Sequence, residues 1–176
     1  MRLFFALLPE PGLARDIDVW RQRNLSANGR PVPMPNFHIT LAFLGDISRH
    51  RLEGLCQAAE ALLASLETGL DPLTLEEVGY WSGPGILWLG PAHWTQALEK
   101  LAARLQARGV YAGGRGTRTA YRPHLTLFRG CDQPPLAPLS PPNFTFDCTH
   151  LALLQSCQGR QGGVRYTEVA NWQLSP

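Results

Sequence analysis

Two short stretches of the sequence decide how the chain should fold. They read Asn-Phe-His-Ile-Thr-Leu-Ala-Phe-Leu-Gly at residues 36–45 and Arg-Pro-His-Leu-Thr-Leu-Phe-Arg-Gly at residues 122–130. Both contain His, then Ile or Leu, then Thr and Leu, and the aliphatic and aromatic residues around them are typical of strands. Each histidine, His38 and His124, is therefore predicted to begin a strand, over 37–44 and 124–128. The shared pattern indicates that the two strands are related.

Strand alternation decides which side chains accompany each histidine. Because successive side chains point to opposite faces, His38 and Thr40 should share one face with Ala42, while the residues between them and Phe43 pack into a core. In the second strand the same rule groups the corresponding residues, His124, Thr126 and Phe128. Each strand is thus expected to present one imidazole and one hydroxyl on the side away from its aliphatic packing.

The rest of the chain predicts three helices and several further strands. Apolar residues recur at helical spacing over 13–20, 52–66 and 94–105. Ser48 is the expected N-cap of the second helix, Gly69 is its expected stop, and Gly109 should end the third helix. Strands are expected at 1–9, 73–81, 86–89, 144–154 and 164–174, with turns at 82–85 and 159–163 that close two hairpins.

The order of these elements predicts an α+β fold. Strand, helix and strand in the first part are echoed by hairpin, helix and strand in the second, which indicates a weak internal repeat. Hairpins imply antiparallel pairing, so a doubly wound parallel sheet is disfavoured. We expect two pseudo-symmetric lobes of antiparallel sheet with flanking helices and the active site in the cleft between them. The 176 residues should form a single bilobal domain over 1–176.

The composition limits the possible partners. Sixteen Lys and Arg against fourteen Asp and Glu give a net charge of +2, too little for charge-driven binding of nucleic acid, so a local patch must carry any contact with a polyanion. Lys100 is the only lysine, and the planar guanidinium of arginine suits bidentate contacts with phosphate. A base composition that favours arginine codons is an equally good explanation.

The cysteines and the N-terminus indicate where the protein works. The four cysteines lack the spacing of a zinc site and are expected to be isolated and reduced. The apolar run at the N-terminus breaks at Pro9, too early for a membrane span, so we interpret it as a buried first strand. We therefore expect a cytoplasmic protein that has no membrane partner and acts as a monomer.

Two histidines and two threonines around one cleft suit the in-line opening of a cyclic phosphodiester. A neutral imidazole can take a proton from water while a protonated imidazole gives one to the departing sugar oxygen, since the usual histidine pKa of about 6.5 makes both forms accessible. The threonine hydroxyls can donate to phosphate oxygens that carry charge in the transition state. This chemistry needs no metal and no cofactor, and no His or carboxylate stands at a recognisable ligand spacing from either motif.

The chain resembles the 2H phosphoesterase superfamily, in particular the RNA 2′,3′-cyclic phosphodiesterases, also called the LigT-like or 2′-5′ RNA ligase family. The likeness covers nearly the whole chain: Arg-Leu-Phe-Phe-Ala-Leu at 2–7, both histidine motifs, and Gly-Arg-Gln-Gly-Gly-Val-Arg-Tyr-Thr-Glu-Val at 159–169. It implies a bilobal fold and hydrolysis of RNA 2′,3′-cyclic phosphate ends to 2′-phosphomonoesters. RNA or nucleotides with such ends are therefore the expected partners.

The resemblance also implies roles for single residues. His38 would be the proton donor to the 3′-oxygen, and His124 would be the proton acceptor from water. Thr40 and Thr126 match the phosphate-holding threonines of the family. Arg129 matches a basic position past the second motif, although strict alternation points it away from His124. Tyr166 matches an aromatic residue whose role is either in the core or against the substrate.

Several alternatives remain open from the sequence. The same site could join RNA ends through 2′-5′ bonds, open a small cyclic phosphate that is not attached to RNA, or bind RNA ends without turnover. The loop 113–118 with Arg122 could form a basic rim or be an ordinary solvated loop. Tyr80, Trp81 or Tyr121 could stack on a base or belong to the core.

Overall fold

The computed structural model describes residues 1–66, 68–117, 119–159 and 163–175. Its main element is an eight-stranded antiparallel sheet in the order β10-β9-β1-β3-β7-β6-β5, with the short β2 beside β7. A second sheet pairs β4 with β8. The strands are β1 Arg2–Leu7, β2 Arg30–Pro31, β3 Ile39–Asp46, β4 Leu73–Leu75, β5 Glu77–Trp81, β6 Ile86–Gly90, β7 Leu125–Arg129, β8 Phe144–Phe146, β9 His150–Gln158 and β10 Val164–Gln173.

Three helices cover the sheet with their apolar faces. They are α1 Pro11–Asn24, α2 Leu52–Ala64 and α3 Gln96–Tyr111. Their buried side chains pack with alternate residues of β1 into one large core, while the intervening Phe4 and Ala6 pack against β9 in a smaller cluster. The predicted helical faces are confirmed, because each contributes residues to the large core, including Ile17, Leu55, Leu62, Leu98, Leu101 and Leu105.

The sheet consists of two four-stranded halves. One half contains β10, β9, β1 and β3, and the other contains β2, β7, β6 and β5. They meet at the β3–β7 junction, where Ile39 pairs with Leu125. Beyond this pair the two strands separate, so a cleft opens between the halves. The predicted α+β class with antiparallel pairing and flanking helices is confirmed.

Two of the predicted strands are each divided between the sheets. The segment 73–81 forms β4 and then β5, and 144–154 forms β8 and then β9. Leu73 and Leu75 are buried together with Phe146 of β8. The chain leaves the small sheet after these residues because β5 and β9 pair with β6 and β1. Both predicted hairpins, β5–β6 and β9–β10, are present.

Three predicted helix boundaries are wrong. Ser48 precedes a short 3₁₀ turn at Arg49–Arg51, and its side chain makes no capping hydrogen bond to α2. The second helix ends at Ala64 rather than near Gly69, because the Ser65 hydroxyl donates to the Leu62 carbonyl and closes the last turn. Gly109 lies inside α3, which continues to Tyr111.

The four cysteines are all free, as predicted. No helix in the described part of the chain has the length and apolar character needed to cross a lipid bilayer.

Candidate active site

Both histidines stand at the junction between the two halves of the sheet. Each precedes its strand by one residue, since β3 begins at Ile39 and β7 begins at Leu125. Ile39 and Leu125 are opposite each other and fully buried in the large core. The two strands run in opposite directions from this pair, so the histidine of each motif lies next to the threonine of the other motif. All four side chains lie on the face of the sheet away from that core. Side-chain alternation thus places two imidazoles and two hydroxyls around one pseudo-two-fold centre.

His38 is held by a backbone carbonyl and enclosed by aromatic rings. Its Nδ1–H donates to the Asn36 carbonyl at 2.7 Å, and its Nε2 accepts from the Thr40 hydroxyl at 3.1 Å. The rings of Phe4 and Tyr166 lie 5.1 and 5.0 Å from the imidazole between centroids. Burial lowers the pKa of His38 to about 4, and the positive charge of Arg129 contributes to the lowering. Near neutral pH the imidazole of the free protein is therefore uncharged, with Nδ1 carrying the hydrogen.

His124 is likewise held by a backbone carbonyl, in a more open setting. Its Nδ1–H donates to the Arg122 carbonyl at 2.8 Å, and the ring of Trp81 lies edge-on to the imidazole, with 4.6 Å between the two ring centroids. Burial lowers its pKa, the hydrogen bond to the carbonyl opposes that lowering, and the charges of Arg129 and Arg122 add to it. Since Nδ1 is committed in both histidines, Nε2 is the atom available for proton transfer.

Both carbonyls that hold the histidines come from residues whose side chains are tied down. Asn36 Nδ2 donates to the Val164 carbonyl of β10 at 2.8 Å. Arg122 forms an ion pair with Glu77 at 2.7 Å, and its guanidinium lies 4.7 Å from the ring centroid of Trp88. The sequence signal for these two residues is their position two before each histidine.

A β-bulge in β3 changes which residues share the face of His38. Ala6 pairs with Thr40 and Phe4 pairs with Phe43, so one extra residue, Leu41, lies between Thr40 and Ala42. Such an extra residue reverses the alternation that follows it. The expected positions of Ala42 and Phe43 are therefore wrong: Ala42 is buried in the core, while Phe43 is 39% exposed on the site face.

β7 contains a bulge at the matching position. Trp88 pairs with Thr126, Leu87 with Phe128 and Ile86 with Arg129, which leaves Leu127 without a partner in β6. Phe128 is therefore turned away from Thr126, contrary to the prediction. Arg129 is turned toward the histidine face, and its charge lowers the pKa of both His38 and His124. The expectation that Arg129 points away from His124 is wrong because it assumed an unbroken strand.

The cleft beside the junction has a volume of about 780 Å³. His124, Thr40 and Phe43 line it, whereas His38 and Thr126 are 9% and 8% exposed and are not among its lining residues. The residues predicted for the site come together at the β3–β7 junction beside this cleft. Side chains from α3, from β5 and from the loop before β7 complete the lining, among them Trp81, Glu99, Ala102, Gln106, Thr117, Tyr121 and Arg122.

The aromatic and basic residues named as alternatives have different surroundings. Tyr80 donates its hydroxyl to the Cys131 carbonyl at 2.9 Å, which is a structural role. Trp81 and Tyr121 both line the cleft. In the loop 113–118, the Arg115 backbone N–H donates to the Leu44 carbonyl at 2.8 Å, which ties the loop to β3. Arg118 lies outside the described residues. Tyr166 packs on Phe4 as well as on His38, so it belongs to the wall of the site.

The described residues include no group of three or more His, Cys, Asp or Glu side chains placed to hold a metal ion. The candidate site instead consists of two imidazoles, two hydroxyls and a guanidinium. These groups can hold an anion, accept one proton and donate another.

Comparisons with known proteins agree on one family. The family model described as the 2′-5′ RNA ligase superfamily matches residues 9–160. The RNA 2′,3′-cyclic phosphodiesterase of Escherichia coli (strain K12) is 31% identical over 175 residues, which cover 99% of this chain and 97% of that protein. The protein of the same description from Geobacillus stearothermophilus is 33% identical over 95 residues, 53% of this chain and 30% of that protein.

Solved structures extend the likeness to the whole fold. E. coli LigT complexed with 3′-AMP matches with a TM-score of 0.87 at 30% identity, over 99% of this chain and 98% of that chain. TT0787 of Thermus thermophilus matches with a TM-score of 0.68 at 26% identity, over 99% of this chain and 98% of that chain. The residues matched by the family model, 9–160, span both histidine motifs of this chain. The chain therefore belongs to the 2′-5′ RNA ligase superfamily.

Proposed function

We propose that this protein hydrolyses RNA 2′,3′-cyclic phosphodiester ends to 2′-phosphomonoesters by metal-independent acid–base catalysis. One observation carries the proposal: His38 and His124 lie at one junction, each with Nδ1 bound to a carbonyl and each under the influence of the charge of Arg129. The E. coli relative, described as an RNA 2′,3′-cyclic phosphodiesterase, supports the same reaction.

The proposed reaction assigns one step to each group. His124 Nε2 takes a proton from water, the water oxygen forms a bond to phosphorus, and the bond from phosphorus to the 3′-oxygen breaks. Protonated His38 gives its proton to that oxygen, which leaves the phosphate on the 2′-oxygen. The hydroxyls of Thr40 and Thr126 and the guanidinium of Arg129 bind the other phosphate oxygens. The division between donor and acceptor rests on resemblance to the family.

Alanine variants of the two histidines test the proposal. We expect His38→Ala and His124→Ala each to reduce opening of a nucleoside 2′,3′-cyclic phosphate by about a hundredfold or more, as for loss of a general acid or base. The assay contains a chelator and identifies the product phosphate position. His93→Ala, at an exposed histidine outside the cleft, is the matched control. Near-normal turnover by either site variant, with its circular dichroism unchanged, would contradict the proposal.

A second activity is supported by the family description. In 2′-5′ RNA joining, a 5′-hydroxyl would replace water as the group that attacks phosphorus, the bond from phosphorus to the 3′-oxygen would break as in hydrolysis, and the same base and acid would take and give the protons. Incubating a 2′,3′-cyclic phosphate end with a 5′-hydroxyl strand and measuring the 2′-5′ product against the hydrolysis product compares the two. An RNA-end-binding protein without turnover would give neither product.

We also propose that residues 1–176 work as one bilobal, monomeric unit in the cytoplasm. The match of 99% of the chain to single structures of the family supports one unit. The four free cysteines are typical of a reducing compartment. Light scattering of the purified chain would measure its oligomeric state.

A further inference from the structure

A second arginine lies directly across the sheet from Arg129. β2 pairs with the end of β7 so that Arg30 is opposite Arg129 and Pro31 is opposite Phe128. Directly opposite residues of an antiparallel pair project from the same face, with their Cα atoms about 4.5–5.5 Å apart. Because the bulge at Leu127 turns Arg129 toward the histidines, Arg30 projects from that face as well.

Two like charges placed opposite each other destabilise a sheet unless an anion lies near them. Both arginines are exposed. Within the described part of the chain, neither forms an ion pair with a carboxylate. Asp132, the acidic residue that follows β7, accepts instead from the Asn28 side chain. A phosphate group would relieve the repulsion and would find planar guanidinium donors on both sides.

The two arginines lie at the end of β7 that is farther from the histidines. β3 pairs with the start of β7 at Leu125, and β2 pairs with its end. Between them the Val32 backbone N–H donates to the Leu127 carbonyl at 2.9 Å and keeps the chain against the same edge of β7. Along this edge the reacting centre therefore comes first, and Arg129 and Arg30 lie side by side beyond it. The ribose-phosphate chain of an RNA end could follow the same line.

We propose that Arg30 binds the phosphodiester that precedes the cyclic phosphate, so that the preferred substrate is the end of an RNA strand rather than a mononucleotide. The inference rests on the proposed function, because it takes the cyclic phosphate to lie between the histidines with Arg129. A mononucleoside cyclic phosphate has no second phosphate and makes no contact with Arg30. One charge-assisted contact at an exposed site should tighten binding of the longer ligand about tenfold.

Calorimetric titration with reaction products tests this without requiring turnover. The two ligands are a nucleoside 2′-monophosphate and a dinucleotide that carries the same terminal 2′-phosphate and one internal phosphodiester. The wild type should bind the dinucleotide about tenfold more tightly. Arg30→Gln should lose that advantage and retain its affinity for the mononucleotide, whereas Arg15→Gln, at an exposed arginine on α1, should behave as wild type.

Salt dependence gives a second readout. For the dinucleotide, the slope of log affinity against log salt should fall by about 0.7 in Arg30→Gln, as for loss of one contact to a single strand. The proposal is overturned if the dinucleotide gains nothing over the mononucleotide, or if Arg30→Gln weakens both ligands alike. Failure of the proposed function is a separate result, because it would show as product binding without opening of the cyclic phosphate.

Discussion

At the scale of single residues, the two histidines differ in what surrounds them although their motifs match. Phe4 and Tyr166 enclose His38, whereas His124 lines the cleft. Burial favours the neutral form of each, which suits an acceptor but not a donor. An anionic phosphate placed between them would favour the protonated form. We infer that the bound substrate raises the pKa of one imidazole, which then holds a proton that it can donate.

Arg129 should set the pH at which the enzyme works. Its charge disfavours the protonated form of both histidines, so Arg129→Gln should raise both pKa values and move both limbs of the profile of kcat/KM against pH to higher pH. The maximum of kcat/KM should also fall by about tenfold to a hundredfold, because a charged contact to phosphate is lost. Assays of a nucleoside 2′,3′-cyclic phosphate from about pH 4 to about pH 9 measure both effects. Unmoved limbs would show that Arg129 does not act on the histidines.

Strand alternation correctly groups His38 with Thr40 and His124 with Thr126, because it holds for the first two residues after each histidine. It failed for Phe43 and Arg129, which follow the bulges at Leu41 and Leu127. A bulge depends on how the neighbouring strands β1 and β6 pack against the strand. That packing is set by residues distant in sequence, so no local pattern predicts it.

At the scale of the elements, α3 approaches β3 closely at one glycine. A Cβ atom on Gly109 would lie 3.0 Å from Leu44 Cγ and closer still to Leu44 Cδ2. Leu44 belongs to the strand that carries Thr40, and it is fully buried. The sequence suggested that Gly109 ends the helix, since glycine is common there. Gly109 lies inside α3 because the helix packs closely against Leu44 at this position. The contact joins two elements, so the sequence of the helix alone does not predict it.

Two glycine-to-alanine variants distinguish helix propensity from this packing. Alanine favours a helix interior by about 1 kcal/mol over glycine. Gly54 in α2 has nothing within 4 Å of an added Cβ, so Gly54→Ala should stabilise the protein by up to that amount. Gly109→Ala should destabilise it, because overpacking costs about 1–3 kcal/mol and exceeds the gain. Urea unfolding measures both free energies, and equal gains for the two variants would contradict the close approach of α3 to Leu44.

At the scale of the whole molecule, the site exists because two similar halves meet at a single residue pair. The order of elements and the repeated motif were enough to predict two related halves with antiparallel pairing. How the two halves join was not predictable from the sequence. β3 and β7 pair only at Ile39 and Leu125, which are distant in the sequence, and from β3 the sheet continues through β1 and β9 to β10. Long-range pairing of this kind buries His38 in its neutral form, so protonation of this histidine affects the stability of the entire fold.

Acid should therefore weaken the fold in a range set by His38. Its pKa is about 4 in the folded protein and about 6.5 in an unfolded chain. Between these values the unfolded state binds a proton that the folded state does not, so the free energy of unfolding falls as the pH is lowered, by about 1.4 kcal/mol per pH unit. The loss begins below about pH 6.5 and ends near the folded pKa, and the lowered pKa of His124 adds to it with the same sign. Urea unfolding at several pH values should show a steeper acid loss for the wild type than for His38→Gln, whose side chain does not titrate. Parallel curves for the two proteins would show that His38 is not held neutral by burial.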